Sequence, residues 1–102
     1  MPDTRYDEAP VAENEEQLEE PLLYRVILHN DDYTTVDFVV WLLMSVFHMT
    51  LPDAISVTEH VHRRGSGIAG VYTYEIAEMK VAKTTALARE REFPLLCTME
   101  PD

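Results

Sequence analysis

The chain has 102 residues, a formal net charge of −11 and one cysteine. That length fits a single small domain with a thin core, no apolar run approaches the ~20 residues of a membrane span, and an acidic surface argues against nucleic-acid binding. The lone Cys97 cannot form an internal disulfide and the N-terminus lacks the basic and apolar regions of a signal peptide, so a cytoplasmic protein is expected.

The charge is unevenly placed. Residues 1–20 hold eight acids against one base, Arg5. This stretch is too poor in large apolar residues to bury itself, so residues 1–21 are expected to form a flexible acidic extension closed by Pro21, with the core domain over 22–102. Leu22 to His29 reads as a strand, with Tyr24, Val26 and Leu28 on one face. The polar stretch Asn30-Asp31-Asp32-Tyr33-Thr34 follows. It lies between a strand and a helix, where chains often carry function. Thr34 suits an N-cap, with Asp37 completing a capping box, which partly explains Asp32 and Asp37 as complements of the helix dipole. Asn30 and Asp31 lie too early to cap the helix directly, and both a turn role and a site role stay open for them.

A first helix is expected from Thr35 to Phe47, with Val36, Val39, Val40, Leu43 and Phe47 at helical spacing. Phe38, Trp41, Leu42, Met44 and Val46 carry apolar surface well round its axis, which predicts partial exposure in so small a domain. Thr50-Leu51-Pro52-Asp53 is a second capping box. The helix it opens runs to Arg64 and is stopped by Gly65, with a stripe of Leu51, Ala54, Ile55, Thr58, Val61 and His62. Gly65-Ser66-Gly67 reads as a turn and Ile68 to Tyr72 as a strand. Thr73 can cap a third helix reaching about Arg91, with Ala77, Val81, Thr84 and Ala88 inward and Lys80, Lys83, Arg89 and Arg91 toward solvent. Pro94 starts a last strand, Leu95 to Met99. The order is β-α-α-β-α-β, an α+β layout of helices on a small sheet.

His60-Val61-His62 is a poor metal pair, because helical residues i and i+2 point about 200° apart and a shared ion needs i, i+4 spacing. No metal or cofactor is expected. Asp31 and His62 could form an acid–base pair, yet no nucleophile, phosphate loop or second carboxylate cluster accompanies them. Cys97, within Leu95-Leu96-Cys97-Thr98-Met99, reads as an inert buried thiol. The chain is therefore not expected to be an enzyme.

Tyr24-Arg25-Val26-Ile27-Leu28-His29-Asn30-Asp31-Asp32-Tyr33-Thr34 resembles the signature of the ClpS family, adaptors of the Clp protease. So do Val61-His62-x-x-Gly65, Ala69-Gly70-Val71-Tyr72-Thr73, Glu75-Ile76-Ala77-Glu78-x-Lys80-Val81 and Pro94-Leu95-Leu96-Cys97-Thr98. The likeness spans about residues 22–100, in order. It implies a small α/β sandwich, a three-stranded antiparallel sheet packed against three helices. It also implies an adaptor that binds substrate proteins bearing an N-degron, a destabilising N-terminal Leu, Phe, Tyr or Trp, and delivers them to the AAA+ unfoldase ClpA of the ClpAP protease. By the resemblance, Asn30, Asp31 and His62 hold the α-amino group. The side chain enters a pocket of Asp32, Thr34, Val36, Val39, Thr58, Val61 and Leu95, and Glu75 and Lys80 dock the unfoldase. The family often has Met where Val36 and Thr58 stand, which bears on specificity, and the Thr58 hydroxyl is expected to disfavour purely aliphatic ligands. A monomer is expected. The alternative is an L7/L12-like protein-interaction module without an N-terminal-residue pocket.

Overall fold

The computed structural model describes residues 20–102, so the acidic extension expected over 1–21 lies, through residue 19, outside the described residues. Six elements follow in the expected order: β1 (Leu23–His29), α1 (Val36–Ser45), α2 (Leu51–Arg64), β2 (Ser66–Thr73), α3 (Tyr74–Glu90) and β3 (Leu96–Pro101). β1 is the central strand, antiparallel to β2 on one side and β3 on the other. Its alternation decides its faces. Val26 and Leu28 point inward and are fully buried. Arg25 and His29 point outward, where Arg25 pairs with Glu100 at 2.6 Å and His29 lies 2.8 Å from the Thr98 hydroxyl. α3 crosses the inner face of all three strands. The wholly buried Ala77, Thr84 and Ala88 give it a small-residue face that lets the helix approach the sheet closely. α2 packs on β2 and on α1.

Two glycines set the approach of α2. Gly65 ends the helix at φ +94°, a left-handed cap whose N–H donates to the Val61 carbonyl. At Gly67 an added Cβ would lie 2.8 Å from Cγ2 of Val61, so only glycine admits the helix this close to the strand.

The boundaries differ from expectation at several places. α1 is capped by Thr35, whose hydroxyl accepts from the Phe38 N–H at 3.2 Å, because Thr34 is engaged with Asp31 instead. α1 ends at Ser45 rather than Phe47, and His48 at φ +60° turns the chain toward α2; Phe47 is buried all the same. The expected turn at 65–67 shrinks to Gly65, since Ser66 and Gly67 pair with His29 and Leu28. β2 gains a bulge at Ala69, which falls between the Val26–Gly70 and Ile27–Ile68 pairs and is itself buried. β3 begins one residue after Leu95 and continues to Pro101. The expected stripe of α2 is also narrower. Ala54, Thr58 and Val61 are buried, whereas Leu51 and Ile55 are exposed, because only one side of the helix meets α1 and β2.

The cations expected on the solvent side of α3 mostly turn back onto the protein. Lys80 Nζ donates to the Val46 carbonyl at 2.5 Å and lies 5.8 Å and 5.6 Å from the Phe47 and Tyr72 ring centroids. α1 has no basic residue in its own last turn, so α3 supplies the cation that its C-terminal carbonyls favour. Arg91 covers the Phe38 and Trp41 rings, and Arg89 donates to the Phe93 and Leu95 carbonyls. Long alkyl stems permit this. Trp41, Met44 and Val36 remain exposed on α1, as its apolar girth implies. Burial pushes the Cys97 thiol up to about 11, against a smaller pull from the Thr84 hydroxyl, so it stays protonated and inert at neutral pH.

Lys80→Met keeps the stem and removes the charge-assisted bond. It should lower unfolding free energy by ~1–3 kcal/mol in urea denaturation, while Lys83→Met, at an exposed position without such partners, changes it little.

Candidate functional site

The site forms where β1 ends and α2 ends. The Asn30 N–H donates to the Gly65 carbonyl at 2.8 Å, which fixes the polar turn after β1 against the C-terminus of α2. Asp31 then builds the turn. Its Oδ1 accepts from the N–H groups of Tyr33 and Thr34 at 2.8 and 2.7 Å, and its Oδ2 accepts from the Thr34 hydroxyl at 2.8 Å. This is an Asx-type turn, so Asp31 does organise the chain before the helix even though it caps nothing itself.

Burial works against the charge of Asp31. The Thr34 and Tyr33 N–H groups, the Thr34 hydroxyl and the Arg89 guanidinium outweigh it and hold the carboxyl below its ordinary pKa, so it is ionised at neutral pH. An ionised carboxylate offers about four acceptor positions, and three bonds leave room for a further donor on Oδ2.

A hollow of about 250 Å³ opens above this turn, between it and α2. Asn30, Asp31 and His62 stand around it as polar groups, with Asp32 and Thr34 beside them. Val36, Val39, Thr58 and Val61 supply the remaining wall. Val36 is 61% exposed and stands at the rim, whereas Val39 and Val61 are buried. Beneath lies a narrower recess of about 20 Å³, which shares Asn30, Asp31, Thr34, Val39 and Val61 with the hollow. Leu95 lines this recess and not the wider hollow; Leu28 and His29 line it too. The recess thus sets the apolar Leu28, Val39, Val61 and Leu95 alongside the polar Asn30, Asp31 and Thr34. Thr58 lines the hollow as well, and its buried hydroxyl donates to the Ala54 carbonyl at 2.7 Å. The hydroxyl's proton is thus engaged within its own helix, which leaves the oxygen only as an acceptor.

Glu75 and Lys80 lie elsewhere, on α3. Glu75 is exposed in the first turn, flanked by the exposed Tyr74, Ile76 and Met79. Lys80 is folded onto Val46, Phe47 and Tyr72 as described. Sequence reasoning missed Arg89 as a neighbour of Asp31. Nothing in the local sequence marks it, because the contact comes from the far end of α3.

A larger hollow of about 560 Å³ lies on the outer side of the sheet, between Arg25, Ile27 and Ile68 and the outer side of α2 at Val57 and His60. Its charged rim is closed on itself by the Arg25–Glu100 pair. It has no set of converging acceptors, so the smaller hollow is the better candidate for a defined ligand. Among the described residues no group of three His, Cys, Asp or Glu side chains is placed to hold a metal ion. His60 and His62 diverge, His60 lining the outer hollow and His62 the candidate site. No helix among the described residues is long and apolar enough to cross a membrane.

Comparison with known proteins agrees with this geometry. Residues 19–98 match the family model of the ATP-dependent Clp protease adaptor protein ClpS. A relative from Acetivibrio thermocellus, an ATP-dependent Clp protease adapter protein ClpS, is 56% identical over 82 residues, 80% of this chain and 83% of its own length. Another of the same name, from Syntrophus aciditrophicus, is 48% identical over 95 residues, 93% of this chain and 89% of its own. The solved structure of Agrobacterium tumefaciens ClpS2 bound to L-phenylalaninamide superposes with a TM-score of 0.79 at 42% identity, over 81% of this chain and all of that one.

The turn itself can be tested. Asp31→Ala should cost about 1–2 kcal/mol at neutral pH, by analogy with the loss of a capping carboxylate. The folded pKa of Asp31 lies below its unfolded value, so its contribution is complete above the unfolded value and lost as pH falls through the folded one. The stability gap between wild type and variant in urea denaturation should therefore narrow below about pH 4.

Proposed function

Because the chain belongs to the ClpS family of ATP-dependent Clp protease adaptors, we propose that it captures proteins by a destabilising N-terminal Leu, Phe, Tyr or Trp and delivers them to the ClpA unfoldase of the ClpAP protease. One observation carries the reading: three acceptors, Asn30, Asp31 and His62, line one hollow together with the apolar Val36, Val39 and Val61. The ligand of the similar Agrobacterium tumefaciens structure, L-phenylalaninamide, has the complementary pattern of a free amine beside a large apolar side chain. The family match favours this reading over an L7/L12-like module without such a pocket.

The chemistry follows from the residues. A peptide α-amine has a pKa of about 7.7–8.0, so most of it is cationic at neutral pH and offers three N–H donors. The Asn30 side-chain oxygen, the Asp31 carboxylate and an unprotonated nitrogen of His62 each accept one. Asp31 supplies the counter-charge, since its own hydrogen bonds keep it ionised. The side chain that follows the amine descends past Val39 and Val61 toward Leu95. Charge-assisted bonds contribute ~1.5–3 kcal/mol each, and burial of a Leu or Phe side chain a similar amount. Lost translational and rotational freedom costs at least ~4 kcal/mol, which leaves an affinity in the micromolar range or somewhat better. The site binds and discriminates; it performs no chemistry on its ligand.

In this reading the exposed surface around Glu75, with Tyr74, Ile76 and Met79, meets the unfoldase, well apart from the cargo pocket. Lys80 contributes there chiefly by holding the end of α1 against α3. Residues 1–21 act in delivery rather than in peptide binding. The protein works as a cytoplasmic monomer.

The decisive experiment is fluorescence anisotropy with Leu- and Phe-initiated peptides, free or Nα-acetylated. Acetylation removes the charge and adds bulk where the three acceptors converge, so it should abolish measurable binding. Equal affinity for both forms would refute the proposal.

Val36 sets the second expectation. It stands exposed at the rim, where the family often carries Met, and its branched side chain is shorter and stiff at χ1. A methylene of mismatch is worth about 1–3 kcal/mol in an apolar pocket. N-terminal Ile and Val peptides should therefore bind measurably, though more weakly than Leu or Phe. Val36→Met should raise the Leu-to-Ile ratio in the same assay, and an unchanged ratio would remove residue 36 from the gate.

A further inference from the structure

A second hollow lies across the Asp31–Thr34 turn from the first. It is a shallow, open depression of about 500 Å³ lined by Tyr33, Phe93, Pro94, Arg89 and Glu92. The turn is the common wall of the two hollows: Asp32 and Thr34 face the first, and Tyr33 faces the second.

The second hollow is firmly built. Phe93 stacks on Phe38 with centroids 5.0 Å apart, and Arg89 is tied to the Phe93 and Leu95 carbonyls. Tyr33 is anchored through its backbone N–H on Asp31 at 2.8 Å. Its ring, in contrast, is 77% exposed and has no hydrogen bond or aromatic partner among the described residues. An aromatic ring carried on a bonded turn and left without packing contributes little to the fold. It is well placed to contribute to binding.

We infer that this second hollow receives a side chain of the substrate polypeptide lying one to three residues after the captured N-terminal residue, and that it favours aromatic or long aliphatic side chains there. The inference rests on the reading of the first hollow as the N-terminal-residue pocket. With its amine and first side chain fixed there, the polypeptide leaves over one of the two flanks. On the α2 flank it meets the exposed Ile55 with the polar Glu59 and Arg63; on the other it meets the unpartnered Tyr33 ring beside Phe93 and Pro94. Glu92, exposed at the edge, and the adjacent Asp32 disfavour an acidic substrate side chain on that second flank. Arg89, hydrogen-bonded to the Phe93 and Leu95 carbonyls, keeps its positive charge and partly offsets them.

The test compares L-leucinamide, a Leu-initiated polyalanine peptide, and the same peptide with Trp at each of the next three positions. Binding to the full chain is measured by titration calorimetry. Trp at one of those positions should tighten binding by about 2–10-fold over alanine, the range expected of one aromatic contact. Tyr33→Ala keeps the backbone bond to Asp31. It should erase that gain while leaving the affinity for L-leucinamide and the melting temperature unchanged. No gain from Trp at any position, or a gain that survives Tyr33→Ala, overturns the inference. So does an equal loss for L-leucinamide and the longer peptides, which would assign Tyr33 to the first pocket. If wild type fails to bind L-leucinamide at all, the first pocket is itself misread and the inference falls with it.

Discussion

The hydrogen bond from the Asn30 N–H to the Gly65 carbonyl is the constraint on which the candidate site depends. It joins two chain segments far apart in sequence, the exit of the central strand and the exit of α2. The left-handed cap at Gly65 turns its carbonyl toward β1, and the bare Cα of Gly67 lets Val61 lie close to β2. His62, in the last turn of α2, thereby comes to share a hollow with Asn30 and Asp31. A side chain at Gly67 would drive the helix outward, separating the acceptors without touching any of them.

Asp31 shows how one residue serves fold and site together. Its hydrogen bonds shape the turn, displace the helix cap from Thr34 to Thr35, and also hold its pKa down so that a full negative charge faces the hollow. Structural and functional readings of such a carboxylate are not rivals. The donors that order the loop are the ones that keep the group charged.

Much of this was legible in the sequence. The order and kind of all six elements follow from hydrophobic period and capping residues, because each element has a strong internal pattern: β-branched alternation in β1, wide apolar surface on α1, and a small inward face on α3. The polar turn at 30–34 stands out in the sequence by itself, but the grouping of the hollow's residues comes through their likeness to a family motif, since spacing along the chain cannot say that residue 62 lies beside residue 30. What escaped were features set by tertiary competition. Thr34 looks like a cap until Asp31 is seen to claim it, and Ser66-Gly67 looks like a turn until β1 offers it a pairing partner. Lys80, Arg89 and Arg91 look like a solvent face, yet their stems are long enough to reach carbonyls and rings on other elements. The Thr58 hydroxyl likewise finds the Ala54 carbonyl one helical turn back, a choice that depends on its burial.

The Asx turn at Asp31 is held by three hydrogen bonds within the turn itself. Under the proposed function, an arriving N-terminus meets a receptor that needs little reorganisation, and the entropy that a mobile loop would lose on binding has already been lost in folding. Capture can then run close to the encounter rate for any suitable chain end. Discrimination among N-terminal residues falls on how long each one stays. Such a receptor samples many chain ends briefly and retains few, so its selectivity is exercised in time as much as in occupancy.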